Sequence, residues 1–237
     1  MIFNKLIVNK YLWNSIFNSY TNNKIPNAFI FHGDEGIGKE GHAIELSGLL
    51  NCKRKTENKY GCGECRSCIK IRSYQHEDLY YILPTPAQKN RSSKGFSLDP
   101  KVIKELNQCF SKKRNNPYYK IELKNANTIP INAIRDIKKK LFFSKSDENW
   151  SVVIILDAEK MCTKKAEAAN SLLKILEEPP NKTLFILITA KLNLLTPTIL
   201  SRCQKVFFPN LKEEELRKII SINFPNSKYD RSDLELS

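Results

Sequence analysis

The stretch Gly33-Asp34-Glu35-Gly36-Ile37-Gly38-Lys39-Glu40 decides the fold, because it follows most of the pattern of a phosphate-binding loop. In that pattern, G-x-x-x-x-G-K-[ST], the glycines let backbone N–H groups wrap phosphates, and the lysine reaches the outer phosphates. The apolar residues 28–31 before the loop predict a buried strand, and residues 39–50 after it predict a helix. The alternative is a glycine-rich turn between strand and helix that binds no nucleotide.

The last position of the motif departs from the pattern, because Glu40 stands where a Ser or Thr hydroxyl would ligate Mg²⁺. A carboxylate there adds negative charge beside a triphosphate, and it is a poor substitute for a compact hydroxyl ligand. We therefore predict a loop that keeps its shape around a degenerate, doubtful site for ATP and Mg²⁺. The candidate nucleotide-binding residues of the loop are Gly33, Gly36, Gly38 and Lys39.

A cluster of four cysteines follows the loop and contains two overlapping C-x-x-C steps. Four thiolates at such spacing close a tetrahedral zinc site of the structural kind, which leaves no open position for catalysis. The opening residues do not match a secretory leader, so we expect a reducing compartment, where this spacing predicts a metal rather than disulfides. The predicted zinc ligands are Cys52, Cys62, Cys65 and Cys68.

A third signal is the stretch 151–159, in which the apolar residues 152–156 predict a buried strand that ends in acid at Asp157. In P-loop enzymes an aspartate at this strand end helps to hold Mg²⁺, so Asp157 is a candidate ligand. The activating carboxylate commonly follows at once, but Ala158 takes that position. If the strand continues, Glu159 points to the opposite face from Ala158 and does not replace the missing acid. The alternative for Asp157 is an ordinary turn residue.

The residues after this strand predict a helix, a strand and a second short helix. The first helix covers 163–178, with Thr163 as its N-cap and two prolines after it. A strand over 183–189 follows, and a short helix begins near Pro197. This last helix leads into Ser201-Arg202-Cys203.

The run NSLLKILEEPP at 170–180, followed by PTILSRC at 197–203, resembles the clamp loader of bacterial DNA polymerase III, an AAA+ family. The resemblance covers about residues 20–210 and includes a four-cysteine module placed after the P-loop helix. It implies an α/β, three-layer P-loop NTPase-like fold with a mostly parallel sheet, an inserted zinc module and the start of a small helical lid.

Within this family, the altered P-loop and missing acid resemble the delta-prime subunit, which is the rigid, non-hydrolysing member. The gamma/tau subunits keep Thr or Ser at the position of Glu40. The resemblance gives Arg202 the role of an arginine finger, which reaches across a subunit boundary to stabilise a neighbour's ATP during hydrolysis. The alternative is that Arg202 caps a helix or pairs with a surface carboxylate. Thr189 matches the polar residue that senses phosphate in active relatives.

The resemblance also implies the partners: gamma/tau and delta subunits, a ring-shaped sliding clamp, and primer–template DNA. It leaves open whether the chain is itself an enzyme, although we expect a subunit of the DNA polymerase III holoenzyme without ATPase activity. Three alternatives remain. A gamma/tau-like ATPase requires Glu40 and Ala158 to be harmless; the others are a zinc-containing DNA-binding module and a stand-alone nucleotide kinase.

One region departs from the family pattern, because residues 84–128 form an insertion between a strand near 79–83 and a helix that begins near Pro130. Within it, residues 88–97 predict a loop and residues 101–110 predict a short helix. Residues 111–119 mix basic and aromatic side chains. They either contact DNA by phosphate pairing and stacking or form a solvated edge.

The expected domain limits are an AAA+ core at 1–209, with the zinc module at about 50–70, and the beginning of the lid at 210–237. A helix over 211–222 is predicted to start the lid, and a polar tail follows from 225. The family's collar domain, which joins the subunits, is expected to be absent. Either the chain is a shortened form or it is a short homologue, and we expect weak or no stable pentamer formation.

The chain of 237 residues is long enough to bury one good core. Its 39 Lys and Arg outnumber 25 Asp and Glu, and the net charge of +14 suits a polyanion such as DNA. Lysine-rich surfaces are also often only solvated. Apolar runs stay shorter than the roughly 18 residues of a membrane span, so we expect a cytoplasmic protein without a membrane partner.

Overall fold

The structure is a computed structural model that describes most of the chain. Most of the predicted loop at 88–97 and the predicted tail from 225 lie outside the described part. The described residues are 1–54, 59–86, 97–143, 148–163 and 166–223.

Five parallel strands form a sheet at the centre of the described chain, as the α/β prediction requires. Their side chains are largely apolar and buried, which is typical of strands covered on both faces. The strands are β1 (Ala28–His32), β2 (Leu79–Ile82), β3 (Ser151–Ile155), β4 (Thr183–Thr189) and β5 (Gln204–Phe207).

The order across the sheet is β2-β3-β4-β1-β5. Strand β1 lies between β4 and β5, with Ala28 opposite Phe185 and His32 opposite Thr189. The chain leaves β1 for the distant edge strand and returns through β3 and β4. The carboxyl ends of β1, β3 and β4 therefore lie side by side, at the edge where open α/β sheets bind ligands.

Helices cover the sheet and connect its strands. Two short 3₁₀ helices, Ala158–Met161 and Leu192–Leu194, accompany them. The α-helices are α1 (Lys10–Thr21), α2 (Lys39–Asn51), α3 (Arg66–Arg72), α4 (Pro100–Asn115), α5 (Ile131–Phe143), α6 (Glu167–Glu177), α7 (Pro197–Leu200) and α8 (Glu213–Asn223).

Two hydrophobic cores lie on opposite faces of the sheet. Phe29 and Phe31 of β1 join the core that contains residues of α1 to α4. Ala28 and Ile30 join the core beneath α5, α6 and α7. Alternate residues of one strand serve different faces because side chains alternate along a strand. The predicted three-layer arrangement follows from this division.

The start of α6 corrects one prediction. The helix begins at Glu167, and Ala166 occupies the N-cap position with φ of 45°. Thr163 is therefore not the N-cap, and the prediction of a helix from 163 was wrong. The reason is a turn before the helix, in which the Ala166 amide donates to the Thr163 carbonyl.

The helix of the insertion corrects another prediction. It was expected to end near residue 110, but α4 continues to Asn115. Phe110 stacks on Tyr74 with ring centroids 4.9 Å apart, which fixes the helix against the core. Lys113 is 2% exposed, so at this residue the basic run is buried and is not a solvated edge.

Candidate nucleotide and metal sites

The loop between β1 and α2 depends on its glycines. Gly33, Gly36 and Gly38 have φ of 137°, 77° and 87°, a backbone region that other L-residues rarely adopt. A Cβ on Gly33 would lie 2.3 Å from the carbonyl oxygen of Phe208, so a side chain does not fit there. The sequence thus builds a tight strand-to-helix turn at the carboxyl end of β1.

Lys39 is bound to the backbone of its own loop. Its Nζ donates to the Gly33 carbonyl at 2.7 Å and also to the Asp34 carbonyl. Burial lowers the pKa of the Lys39 ammonium to about 8, against the opposing effect of nearby carboxylates such as Glu35. The group that would reach the outer phosphates of a nucleotide is therefore already engaged within the chain.

The acidic end of β3 has a different backbone from the predicted one. The strand ends at Ile155, and Asp157 has φ of 46° as the chain turns into the 3₁₀ helix Ala158–Met161. The strand does not continue to Glu159, so the condition under which Glu159 would point away from Ala158 is not met. The turn instead brings Glu159 to β4. There the Thr189 hydroxyl donates to the Glu159 carboxylate at 2.6 Å.

Asp157 and Thr189 are thus both engaged by residues of the same turn. Lys160 Nζ lies 2.8 Å from Asp157 Oδ2, in an ion pair whose two side chains are about one third exposed. Thr189 is 1% exposed and has Glu159 as its acceptor. These two candidate residues line the same cavity as Gly36, Gly38 and Lys39.

Glu40 pairs with Lys113 of α4. The two charged groups are 2.7 Å apart, and their side chains are 13% and 3% exposed. Burial raises the pKa of the Glu40 carboxyl, and the charge and hydrogen bond of Lys113 act in the opposite direction. The residue that breaks the motif therefore has a partner of opposite charge within the fold.

The segment after α4 lies over the loop. The Tyr118 ring is 3.2 Å from the position that a Cβ on Gly38 would take, and its hydroxyl accepts the Ile7 N–H at 2.9 Å. Lys120 pairs with Glu35 at 2.8 Å. A cavity of about 90 Å³ remains between these residues and the loop. Small-molecule sites are usually larger than roughly 300 Å³.

The four predicted zinc ligands lie together. Their sulfur atoms are all within 4.8 Å of one another, and Cys62 Sγ lies 3.9 Å from Cys68 Sγ. Zn–S bonds of about 2.3 Å in a tetrahedron require S···S distances of roughly 3.8 Å, so the cluster fits zinc after small movements. The ligands are Cys52, which follows α2, Cys62 in the loop, and Cys65 and Cys68 at α3.

Glycines hold the cysteine cluster against the P-loop helix and the N-terminal segment. A Cβ on Gly61 would lie 2.9 Å from the backbone of Gly48 in α2, and one on Gly63 would lie 2.4 Å from the Met1 carbonyl. The cysteine sulfurs are the only ligand set of three or more that meets metal spacing within the described residues.

Arg202 lies at the surface, apart from both sites. Its guanidinium donates to the Glu177 carboxylate at 2.6 Å and to the Thr198 carbonyl at 3.0 Å. In the single chain it thus has the carboxylate pairing that sequence reasoning held as the alternative. Its side chain is 35% exposed and that of Glu177 is 50% exposed.

Five residues engage the candidate nucleotide site although the sequence did not predict that they would. Glu159 was considered only for the case that β3 continues, and Lys160 and Lys120 were not considered. Tyr118 was seen only as one member of the basic and aromatic run 111–119. Lys113 was seen only as one member of a basic run. Each carried a weak signal, namely a charged or aromatic residue near an element that the motifs already placed.

No α-helix among the described residues has the length and apolar character needed to span a bilayer.

Comparison with known families gives a direct match, because a family model described as "DNA polymerase III, delta subunit" matches residues 8–212.

Curated relatives give the same result. The DNA polymerase III delta' subunit of Bacillus subtilis is 30% identical over 201 residues, which are 85% of this chain and 47% of that protein. The delta' subunit of Buchnera aphidicola subsp. Baizongia pistaciae is 28% identical over 181 residues, or 76% and 43%. The tau subunit of Bacillus subtilis is 24% identical over 214 residues, or 90% and 30%.

The chain spans less than half the length of these curated relatives. The family model nevertheless matches most of the chain, including the loop after β1, the cysteine cluster and the Ser-Arg-Cys segment. The chain therefore belongs to the DNA polymerase III family that this model describes, and it is a delta-prime-like member of the clamp-loader AAA+ proteins.

Proposed function

We propose that this chain is a clamp-loader subunit that does not hydrolyse ATP and that supplies Arg202 to ATP bound by a neighbouring gamma/tau-type subunit. The proposal rests on a contrast between two places in the chain. At the candidate nucleotide site, Lys39, Glu40 and Asp157 are engaged by the chain's own groups. Arg202, in comparison, is held at the surface by one exposed ion pair and by a hydrogen bond to the Thr198 carbonyl.

The pairing of Arg202 supports a role in trans. Exposed ion pairs contribute roughly 0–1 kcal/mol, so Glu177 holds the guanidinium only weakly. A guanidinium binds carboxylate and phosphate oxygens with the same planar set of donors. Arg202 can therefore exchange Glu177 for a phosphate of a neighbour at small cost. Glu177 keeps the side chain extended at the surface until that neighbour is present.

The assembly around this subunit is part of the proposal. The partners would be gamma/tau and delta subunits, with a sliding clamp and primed DNA as the substrates of the whole loader. Residues 1–209 would form the AAA+ core, and α8 would begin the lid. The cysteine cluster would hold a structural zinc ion, since four sulfurs leave no open ligand position.

The test is the ATPase rate of a loader reconstituted from this chain and its gamma/tau and delta partners, with clamp and primed DNA present. Arginine fingers contribute about 10³–10⁵ in rate in well-studied GTPases, so Arg202→Ala is expected to lower the turnover of the adjacent site at least about a hundredfold. The matched control is Arg217→Ala, since Arg217 is also exposed and paired with a glutamate, Glu213. Assembly of each variant is measured by mass photometry.

Two outcomes decide this test. A large loss for Arg202→Ala with normal assembly and normal Arg217→Ala turnover supports the proposal. Equal turnover of the two variants in fully assembled loaders contradicts it.

A second candidate function is an active gamma/tau-like ATPase, which the 24% identity to a tau subunit favours. Calorimetric titration of the zinc-loaded chain with ATP and Mg²⁺ separates the two functions. An absence of heat at millimolar nucleotide supports the non-hydrolysing subunit. Micromolar binding would favour the ATPase, and hydrolysis would then be assayed. A DNA-binding module would instead bind DNA without any partner.

A further inference from the structure

The Lys113 ammonium is buried, and three acceptors of the same chain surround it. It is 2% exposed, and lysine is almost never so buried unless it is paired. An ammonium has three N–H donors. In this chain they meet Glu40 Oε2 at 2.7 Å, the Pro117 carbonyl at 3.2 Å and the Tyr119 carbonyl. Every donor therefore has an acceptor, and the turn after α4 is wrapped around this one group.

The position of this cation follows from the motif. Glu40 occupies the place from which a hydroxyl would hold Mg²⁺ beside the phosphates. A positive group bound to Glu40 therefore lies at the edge of the site where a divalent cation would be needed. Only 13% of the Glu40 side chain is exposed, and a charged group so enclosed needs a partner of opposite charge, which the Lys113 side chain supplies from the same chain.

Three further contacts fasten the segment to the core. Phe110 stacks on Tyr74, and Tyr118 covers Gly38 while its hydroxyl accepts the Ile7 N–H. Lys120 reaches Glu35 on the other side of the loop. Burial raises the pKa of the Tyr74 hydroxyl, and the negative charge of Glu40 acts in the same direction.

We propose that residues 100–120, here called the plug, occupy the nucleotide site of this chain, with the Lys113 ammonium in the place of the divalent cation. The inference deepens the proposed function, since it gives a physical cause for the absence of ATP hydrolysis. The plug and a nucleoside triphosphate compete for one space, and only about 90 Å³ is left beside the plug. The core then keeps one conformation at any ATP concentration.

The first test uses the unaltered chain. Lysines are acylated with a small amine-reactive reagent, and the rate at each position is read by mass spectrometry. Lys112 is the matched control, because it is the exposed neighbour of Lys113 on the same helix. If the plug is closed, Lys113 reacts more than about tenfold more slowly than Lys112, because it must wait for local opening. Equal rates would overturn the proposal.

The second test opens the site. Glu40→Thr restores the hydroxyl of the motif, and Lys113→Met removes the charge while keeping most of the side-chain volume. The double variant is expected to bind a fluorescent ATP analogue at least about tenfold more tightly than the unaltered chain, and excess ATP should displace the analogue. Lys139→Met, which removes an exposed lysine of α5 outside the plug, is the control and is expected to leave binding unchanged.

The two tests separate this inference from the function on which it rests. A folded double variant that binds nucleotide no better than the unaltered chain would overturn the plug. If the double variant does not fold, the acylation rates in the unaltered chain decide alone. If the plug tests fail but Arg202→Ala still lowers the turnover of the neighbour, the proposed function is kept and only the plug is rejected. If Arg202→Ala leaves the turnover of the neighbour unchanged while Lys113 reacts slowly, the proposed function is refuted and the plug is not.

Discussion

Protonation of His42 is predicted to destabilise the fold below about pH 6.5. The ring is 1% exposed. Its Nδ1 lies 2.8 Å from the Gly38 carbonyl, and its Nε2 accepts the Asn9 N–H at 3.1 Å. These partners require a neutral ring with its proton on Nδ1. Burial lowers the pKa of His42 from 6.5 to about 4, and the Gly38 carbonyl opposes this shift.

The direction and size of this change in unfolding free energy follow from the linkage between proton binding and folding. The pKa is lower in the folded chain, so the unfolded chain binds the proton first as pH falls. The stabilisation is fully present above pH 6.5 and is lost progressively as pH falls through about 4. With pKa values of 6.5 and about 4, the loss is about 1.4 kcal/mol at pH 5.5 and about 2.5 kcal/mol at pH 4.5.

The assay is urea unfolding of the chain and of His42→Asn at pH 7.5, 5.5 and 4.5. Asparagine can still donate to Gly38 but does not titrate, so the difference in unfolding free energy isolates this histidine. The difference also cancels acid effects common to both chains, including those at the cysteine cluster and at Glu45, where burial raises the pKa.

His32→Asn is the control, because His32 is only partly buried, and its pKa is lowered by burial and also by the charges of Lys205 and Lys39. The advantage of the unaltered chain over His42→Asn should shrink by about 2.5 kcal/mol between pH 7.5 and 4.5. A difference that stays constant with pH would refute the assignment of a buried neutral ring.

Two further predictions concern the loop and the cysteines. Gly33→Ala, whose Cβ would lie 2.3 Å from a backbone carbonyl, should lower the unfolding free energy by more than about 3 kcal/mol in urea titrations. Gly36→Ala meets nothing within 4 Å and should cost only about 1–2 kcal/mol from its positive φ, so equal losses would contradict the steric reason. Zinc at 100 times its dissociation constant adds about 2.7 kcal/mol, so chelation should lower the melting temperature by roughly 5–10 °C. Cys68→Ser should make the chain insensitive to the chelator, and an unchanged melting curve after verified zinc loss would refute a stabilising role.

Much of the fold could be predicted because its strands are short apolar runs followed by residues that favour turns. The strand at Ala28–His32 is followed by glycines whose positive φ values force the turn, and the cysteine spacing fixes which sulfurs meet. Element ends were harder. Ala166 carries a left-handed backbone that nothing in its residue type signals, so the start of α6 was misplaced.

The chemistry at the end of β3 could not be predicted from the motif alone. Which face Glu159 occupies depends on whether the strand continues past Ile155, and the turn at Asp157 is a property of the packed sheet end. Side chains alternate between the two faces only while the chain stays in the strand, so the alternation says nothing about residues after Ile155. The sequence therefore identifies the missing acid at Ala158, but it does not indicate that Glu159 accepts a hydrogen bond from Thr189.

Glu40 and Lys113 illustrate a signal that could have been used. Lys113 follows Cys109 by four residues and Phe110 by three, so it continues the apolar face of α4. A lysine on an apolar face needs a buried partner, and Glu40 at the start of a buried helix needs one as well. Taken alone, Lys113 is an exception to the apolar face of α4, and Glu40 is an exception to the P-loop pattern. Together they are complementary, and the pair predicts that the insertion folds over the loop, which neither motif nor helical periodicity could indicate separately.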